Sequence, residues 1–462
     1  MVARHSRTIG VLLVLLLALA KGAAAADADE RVAWLRAHAI PLVPASASSD
    51  DFADLERLRP AIGDARIVML GEPTRGSGSA LAMKARLVRF LHQRMGFDVL
   101  AFEGGFYDCA RAGEAIRTGA EPRRALVGAL FPQYAQAAEL QPVFDLLAAS
   151  AATDRPLVVE GVDDQIGGRA GADELLAGLR AALAAAGIDA ARVSGWSEVE
   201  AAVRDVVAER YATGEVPVPP RASQRRVLAT LDDLRRRLEA RPTRAASPGA
   251  AGAPSGSNVD PAFWAQVLAN LSVYAESGWQ EGKWEPDAPQ KRKTALTNRR
   301  DRQMAENLVW LARRRHPDRK IVVWSLNVHL ARDLDLLTTS EAATRARFDE
   351  MSMLGDEVRK ALGGEVYTIA LTALRGAIGA PGRQPAELLA ATAGSFEELM
   401  GRAGFEAAFV DLRNIPEGGA WLRRGLIARP LSYKELLGIW PRHLDALLFL
   451  RTMEPSRPVA SP

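Results

Sequence analysis

The chain has 462 residues, and 59 lysines and arginines nearly balance 56 aspartates and glutamates, for a formal charge of +3. That balance excludes the electrostatic footprint of a nucleic-acid binder or of a protein drawn to an anionic membrane surface. Cys109 is the only cysteine, so no intramolecular disulfide can form.

Residues 1–26 stand apart from the rest. Arg4, His5 and Arg7 precede an apolar run from Ile9 to Ala20, and small residues follow as far as Ala26. This is the pattern of a secretory signal peptide, and its core is shorter than the ~20 apolar residues a bilayer span takes. With no cysteine near the cut, a lipid anchor is not offered. The expectation is export, to the periplasm or outside, after cleavage near Ala26. Residues 27–462 then form an exported domain with no membrane span and equal numbers of basic and acidic residues.

From Asp29 to Pro60 the apolar spacing is helical, with Asp50 or Asp51 as the N-cap of a second helix. Ile67 to Leu70 is a short, wholly apolar strand of the kind a parallel sheet buries. It runs into a polar, glycine-rich turn, GEPTRGSG. Ala80 to Met95 has Leu81, Leu87, Phe90 and Leu91 at inward helical spacing, with Arg86, Arg89 and Arg94 outward. Val99 to Phe102 is a second strand, ending in Glu103-Gly104-Gly105. Strand, helix and strand within so short a span form a βαβ unit with parallel strands. Cys109, in FYDCARAG, reads as a buried structural thiol.

Helical patterns cover Arg111–Gly119 and Glu139–Ser150. A third strand, Pro156–Val159, ends in the GVDDQ stretch. Residues 171–290 read as a mainly helical insertion, with an amphipathic helix over 221–244 and a flexible Gly/Ala/Pro/Ser linker near 245–258. The helix over 298–314 leads into a fourth strand, Lys320–Trp324, followed by SLNVH. Val366–Leu371, AAFVDL and DALLFL supply further strands. The fold class is α/β with a mainly parallel sheet.

Glu72 and Arg75, Glu103, Asp163 and His329 each follow a predicted strand. Parallel strands place these ends on one edge, where α/β proteins bind ligands. Together they predict a pocket of carboxylates, an imidazole and a guanidinium. His38, His92, His316 and His443 are expected on the surface or at caps. No Gly-x-Ser-x-Gly elbow is present, and GEPTRGSG lacks the Walker ending. A metal is not expected either, since the cation at Arg75 would repel a divalent ion; no cofactor is implied.

GEPTRG after an apolar strand, followed by GFDVLAFEGG, resembles the opening motifs of the erythromycin esterase family, whose first motif reads GExxHG. The resemblance continues through GVDDQ, NRRDRQMAENLVWL, WSLNVHLARD, MLGDEVRKALGGEVYTIAL and LDALLFLRTMEP. It implies a three-layer α/β/α core with a helical cap, and hydrolysis of a carboxylic ester by activated water. Carried over by position, the family's two glutamates are Glu72 and Glu103, and the last histidine of its HNxH pair is His329. Arg75 stands where the family has its histidine base, Lys84 where it has an arginine, and Leu326 where it has the first histidine of HNxH. Arginine stays protonated and cannot take a proton from water.

Two readings follow. In one, the chain is an ester or lactone hydrolase with an altered site: His329 or a buried glutamate activates water, and Arg75 and Lys84, with Asp163 nearby, bind substrate or the oxyanion. In the other, it is a silent pseudoenzyme whose pocket binds an anionic or polyoxygenated small molecule, with Arg75 paired to Glu72 or Glu103. Both give the chain a small-molecule partner. Oligomeric state is not legible.

Overall fold

The computed structural model describes residues 27–44, 51–241, 259–281 and 290–459. The expected signal peptide and the 245–258 linker lie outside the described residues. In chain order the strands are β1 (Ile40–Leu42), β2 (Ile67–Glu72), β3 (Phe97–Gly105), β4 (Val158–Asp163), β5 (Lys320–Leu326) and β6 (Val366–Ile378). They continue with β7 (Ala386–Glu387), β8 (Ala407–Asp411), β9 (Leu426–Ala428), β10 (Leu436–Gly438) and β11 (Ala446–Met453).

One sheet runs in the order β1-β8-β11-β6-β2-β5-β3-β4, with β7 paired to β6, while β9 and β10 make a separate hairpin. From β11 to β4 every neighbouring pair is parallel. β8 and β1 extend that edge antiparallel. β2 and β3 are parallel, as the βαβ pattern requires, but β5 sits between them.

Alternation along each strand explains the layers. Val68 and Leu70 of β2, Leu100 and Phe102 of β3, and Val322 and Trp324 of β5 face one core, with Leu87 and Phe90 of the Gly78–Met95 helix. Ile67, Met69, Val99 and Val323 point to the opposite core, shared with Leu175, Leu234, Trp264 and Leu308 of helices that lie between β4 and β5. Successive strand side chains point to opposite faces, so strands buried on both sides must be apolar throughout. Each fully buried Leu or Phe adds about 1.5–3 kcal/mol. The result is an α/β sheet covered by helices on both faces. Among the described residues, no helix is long and apolar enough to cross a membrane.

Several sequence readings are corrected. β1 lies inside the stretch read as helical, where Ile40–Leu42 zips onto β8 after the helix over 27–38 ends. Of the two expected N-caps, Asp50 lies outside the described residues and Asp51 does not cap a regular helix: a four-residue 3-10 turn, Leu55–Leu58, occupies the place. Arg86, expected outward, is buried because Asp54 accepts from both its terminal nitrogens at 2.8 and 2.6 Å. His92, His316 and His443 are buried rather than superficial, with ring nitrogens engaged by the Phe97 carbonyl, Glu160 and the Arg332 carbonyl. Cys109 is buried, as read, and burial pushes its thiol up.

Candidate functional site

The sheet register brings the strand-end residues to one edge. Glu72 closes β2 level with Leu326, the last residue of β5, and Asp163 at the end of β4 lies level with Gly105. Glu103 sits two residues before Gly105 in β3. A single helical turn, Asn327–Leu330, follows β5 directly and carries His329 to the same edge. The glycine of the GE pair has a local cause. A Cβ on Gly71 would fall 2.1 Å from Oδ1 of Asn327, whose amide is pinned above it by donating to the carbonyls of Leu371 and Pro430.

Glu103 is the hub. Its Oε2 accepts from Ser325 Oγ at 2.8 Å and from the Leu326 amide at 3.0 Å. Its Oε1 accepts from Arg75 and, at 3.2 Å, from Arg300, with Nε2 of His329 at 3.4 Å. Arg300 also clamps Asp163 through two bonds of 2.9 and 2.5 Å. His329 turns its Nδ1 to Asp301 Oδ1 at 2.8 Å, and that oxygen also accepts from the Leu354 amide.

Glu72 belongs to a second, deeper cluster. Lys84 donates to one of its oxygens and Tyr134 to the other. Lys84 also donates to the Ser325 carbonyl at 3.1 Å and rests 4.2 Å from the centre of the Trp324 ring. Arg75 pairs with Glu103 and not with Glu72, and its guanidinium lies 3.8 Å from the centre of the Phe131 ring. Thus the structure brings all six predicted residues to one edge, in two adjoining groups.

Environment divides their protonation. Burial would raise Glu103, yet His329, Arg75 and Arg300 hold it well below the usual carboxylate range. Glu72 goes the other way: burial raises it, and Lys84 and Tyr134 only partly offset this. Burial lowers Lys84 to about 8 despite Glu72. Burial also disfavours charge on His329, but Asp301 and Glu103 overcome it and bring the imidazole to about 9. A ring raised in this way is suited to donating a proton, and Nη1 of Arg300 also lies 3.3 Å from its Nε2. Burial and the neighbouring Asp163 push Asp164 well above its ordinary value, while Arg300 keeps Asp163 low.

The carboxylates of Glu72, Glu103 and Asp163 are wholly buried, whereas the side chains of Arg75 and Arg300 are each 22% exposed. What a ligand meets is two guanidiniums and the edge of an imidazole, set over buried acids. Such a surface can hold a carbonyl oxygen or a carboxylate. Among the described residues, no three carboxylate, imidazole or thiol side chains converge as a metal cage would.

Arg300, Asp301, Ser325 and Tyr134 escaped the residue-by-residue reading. Arg300 and Asp301 lay within the NRRDRQ motif, where adjacent helical positions supply a donor for Asp163 and Glu103 and an acceptor for His329; that was the available signal. Tyr134 comes from a four-residue helix, Pro132–Ala135, with no pattern to mark it.

The fold and its polar edge define an α/β protein with a candidate small-molecule site beyond the carboxyl ends of parallel strands. The chain belongs to the erythromycin esterase family, whose model, described as "Erythromycin esterase", matches residues 92–453. That span includes Glu103, Asp163, Arg300 and His329 and begins after Glu72, Arg75 and Lys84. The chain is 25% identical over 429 residues to the Bacillus subtilis protein named "Putative hydrolase YbfO", covering 92% of this chain and 91% of that one. Among solved structures, a succinoglycan biosynthesis protein is similar at a TM-score of 0.69 with 17% identity, over 93% of this chain and 98% of its own. A mutant of the erythromycin esterase EreC in its open conformation is similar at 0.61 with 16% identity, over 89% and 96%. Family membership supports a hydrolase.

Proposed function

We propose that this chain hydrolyses a carboxylic ester or lactone with activated water, at a site where arginine replaces the family's histidine. What supports this reading is the contrast of environments along one sheet edge: Glu72 is a buried carboxyl held by Lys84 and Tyr134 and raised by burial, and His329 is an imidazole held by Asp301 and Glu103 and raised by them. Paired groups pushed apart in this way are suited to base and acid roles. Glu72, once Tyr134 releases one of its oxygens, takes a proton from a water molecule as the water oxygen bonds to the substrate carbonyl carbon. The oxyanion so formed faces Arg75 and Arg300. On collapse the carbon–oxygen ester bond breaks, and His329, held by Asp301, protonates the departing alkoxide. Lys84 and Tyr134 hold Glu72, and Asp163 holds Arg300. General acid and base steps contribute about 10²- to 10⁴-fold each.

The Arg75–Glu103 pair favours a second reading, a silent site that binds an anionic or polyoxygenated molecule through the same two guanidiniums. An ester panel that includes macrolactones, run on purified protein, separates the two. Turnover that His329→Asn lowers at least tenfold supports the hydrolase. No turnover above buffer, together with a carboxylate that raises Tm in the wild type but not in Arg75→Ala, supports the binding site. Arg75→His adds a further arm, since a gain of activity there means that only the base had been replaced.

We also propose that residues 1–26 direct export and are removed. The support is their basic flank, short apolar core and small-residue end.

A further inference from the structure

A cavity of about 380 Å³ opens beside the candidate site. Gly104 and Gly105, which directly follow Glu103, form part of its wall, as does Phe131, the ring on which Arg75 rests. Val127, Pro132 and Tyr211 also line it, and Val127 and Tyr211 are 60% and 49% exposed. Tyr211 is the contribution of the helical segment between β4 and β5: it sits in the short Arg210–Thr213 helix, just after a π-helical turn at Arg204–Glu209. Such turns are frequent at functional sites.

The chemistry of the wall is specific. Among the described residues, Asp108 is the one carboxyl in it, and both its oxygens are taken up by the amides of Gly168 and Gly171 at 3.0 and 2.7 Å. Among the described residues, no arginine or lysine lines the space, and Gln136 and Gln165 are its neutral polar side chains. Large apolar side chains left in water around a concavity mark a place where something apolar is covered. A dry cavity of about 150 Å³ accommodates benzene, so this one suits a group of roughly two fused rings. It lies near the lower end of the ~300–1,000 Å³ usual for ligand pockets, which is small for a decorated macrocycle.

We infer that this cavity is the specificity subsite of the proposed hydrolase, receiving a compact, uncharged aromatic or branched aliphatic arm of an ester whose carbonyl reaches the Arg75–Arg300 pair. The inference rests on the hydrolase reading for the word ester, but not for the binding of the apolar arm.

The test uses 2-naphthyl acetate as substrate and N-(2-naphthyl)acetamide as an analogue to be titrated calorimetrically. Val127→Trp narrows the mouth from an exposed position, Tyr211→Ala removes the opposite wall, and Leu389→Trp, at an exposed residue outside the cavity, is the control. The expected result is that the amide binds wild type and control alike and binds both wall variants at least tenfold more weakly. KM for the ester should rise by the same factor at unchanged kcat. Equal binding by wild type and both wall variants overturns the subsite, as does cleavage of methyl acetate without any binding of the amide. Binding of the amide that the wall variants weaken, with no ester cleaved, retains the cavity as a ligand site and sinks the hydrolase reading alone.

Discussion

At the residue scale the informative position is Arg75, because its neighbours define what it can do. It cannot act as a base, and Glu103 and the Phe131 ring hold it in place. The proposed acid–base pair is therefore Glu72 and His329, whose environments differ. His329 gains its partners on folding, so its folded value, about 9, lies above its ordinary 6.5. The stability it adds is complete below pH 6.5 and is lost as pH rises towards 9. The difference in unfolding free energy between wild type and His329→Asn should shrink by on the order of 3 kcal/mol across that window, measured by denaturant unfolding at each pH. Lys84, lowered to about 8, acts in the opposite direction at higher pH, and comparing the two proteins cancels it. A constant difference from pH 6 to 9.5 would show that His329 is not held charged. Lys84→Met leaves Glu72 buried without its counter-ion and should cost about 3–5 kcal/mol, seen as a large fall in Tm at pH 7. Retained stability there would mean that Glu72 is already protonated.

At the element scale the site depends on how β2 and β5 end. Both strands stop at the same level, and the turn of helix after β5 folds Asn327 over Gly71, so that backbone fits against side-chain amide. Gly71→Ala inserts a methyl where no space exists. Overpacking of this kind costs about 1–3 kcal/mol, and Asn327 cannot move away without giving up its bonds to the Leu371 and Pro430 carbonyls. A Tm within a degree of the wild type would show that the turn yields freely. The Gly78–Met95 helix contributes by geometry: its first turns carry Lys84 under β2, while Gly96, in the left-handed region at φ 75°, ends it and returns the chain to β3.

At the scale of the whole molecule, the chain between β4 and β5 supplies both a cover for one face of the sheet and the Tyr211 wall of the cavity. Export is tested on the intact protein: after expression in a secreting host, the exported form should begin near Asp27 by mass spectrometry, and a species that retains residues 1–26 outside the cell would refute cleavage. Local patterns carried the sequence reading a long way. The presence of β2, β3 and β4, the parallel setting of β2 and β3, and the buried thiol were legible because apolar runs and glycine punctuation are short-range features; the strands run on past their apolar cores, so that Glu72, Glu103 and Asp163 lie within them. His92, His443 and Arg86 were misplaced, since a polar residue on an amphipathic pattern does not reveal whether a distant acceptor awaits it, whereas His316 does stand at a cap, though buried. β1 was missed because three residues carry no period of their own.

By itself, the sequence determined the fold class, and it offered six candidate site residues, with arginine at position 75 standing where the family resemblance implies a base. The fold class follows from apolar runs and glycine punctuation along the chain, while the meaning of position 75 follows from the resemblance. The tertiary structure decided the pairings: Glu103 rather than Glu72 for Arg75, Asp301 for His329, Arg300 for Asp163, and Tyr134 for Glu72. It also decided which groups carry charge, because protonation depends on burial and on partners within a few ångströms, most of them far away in the chain.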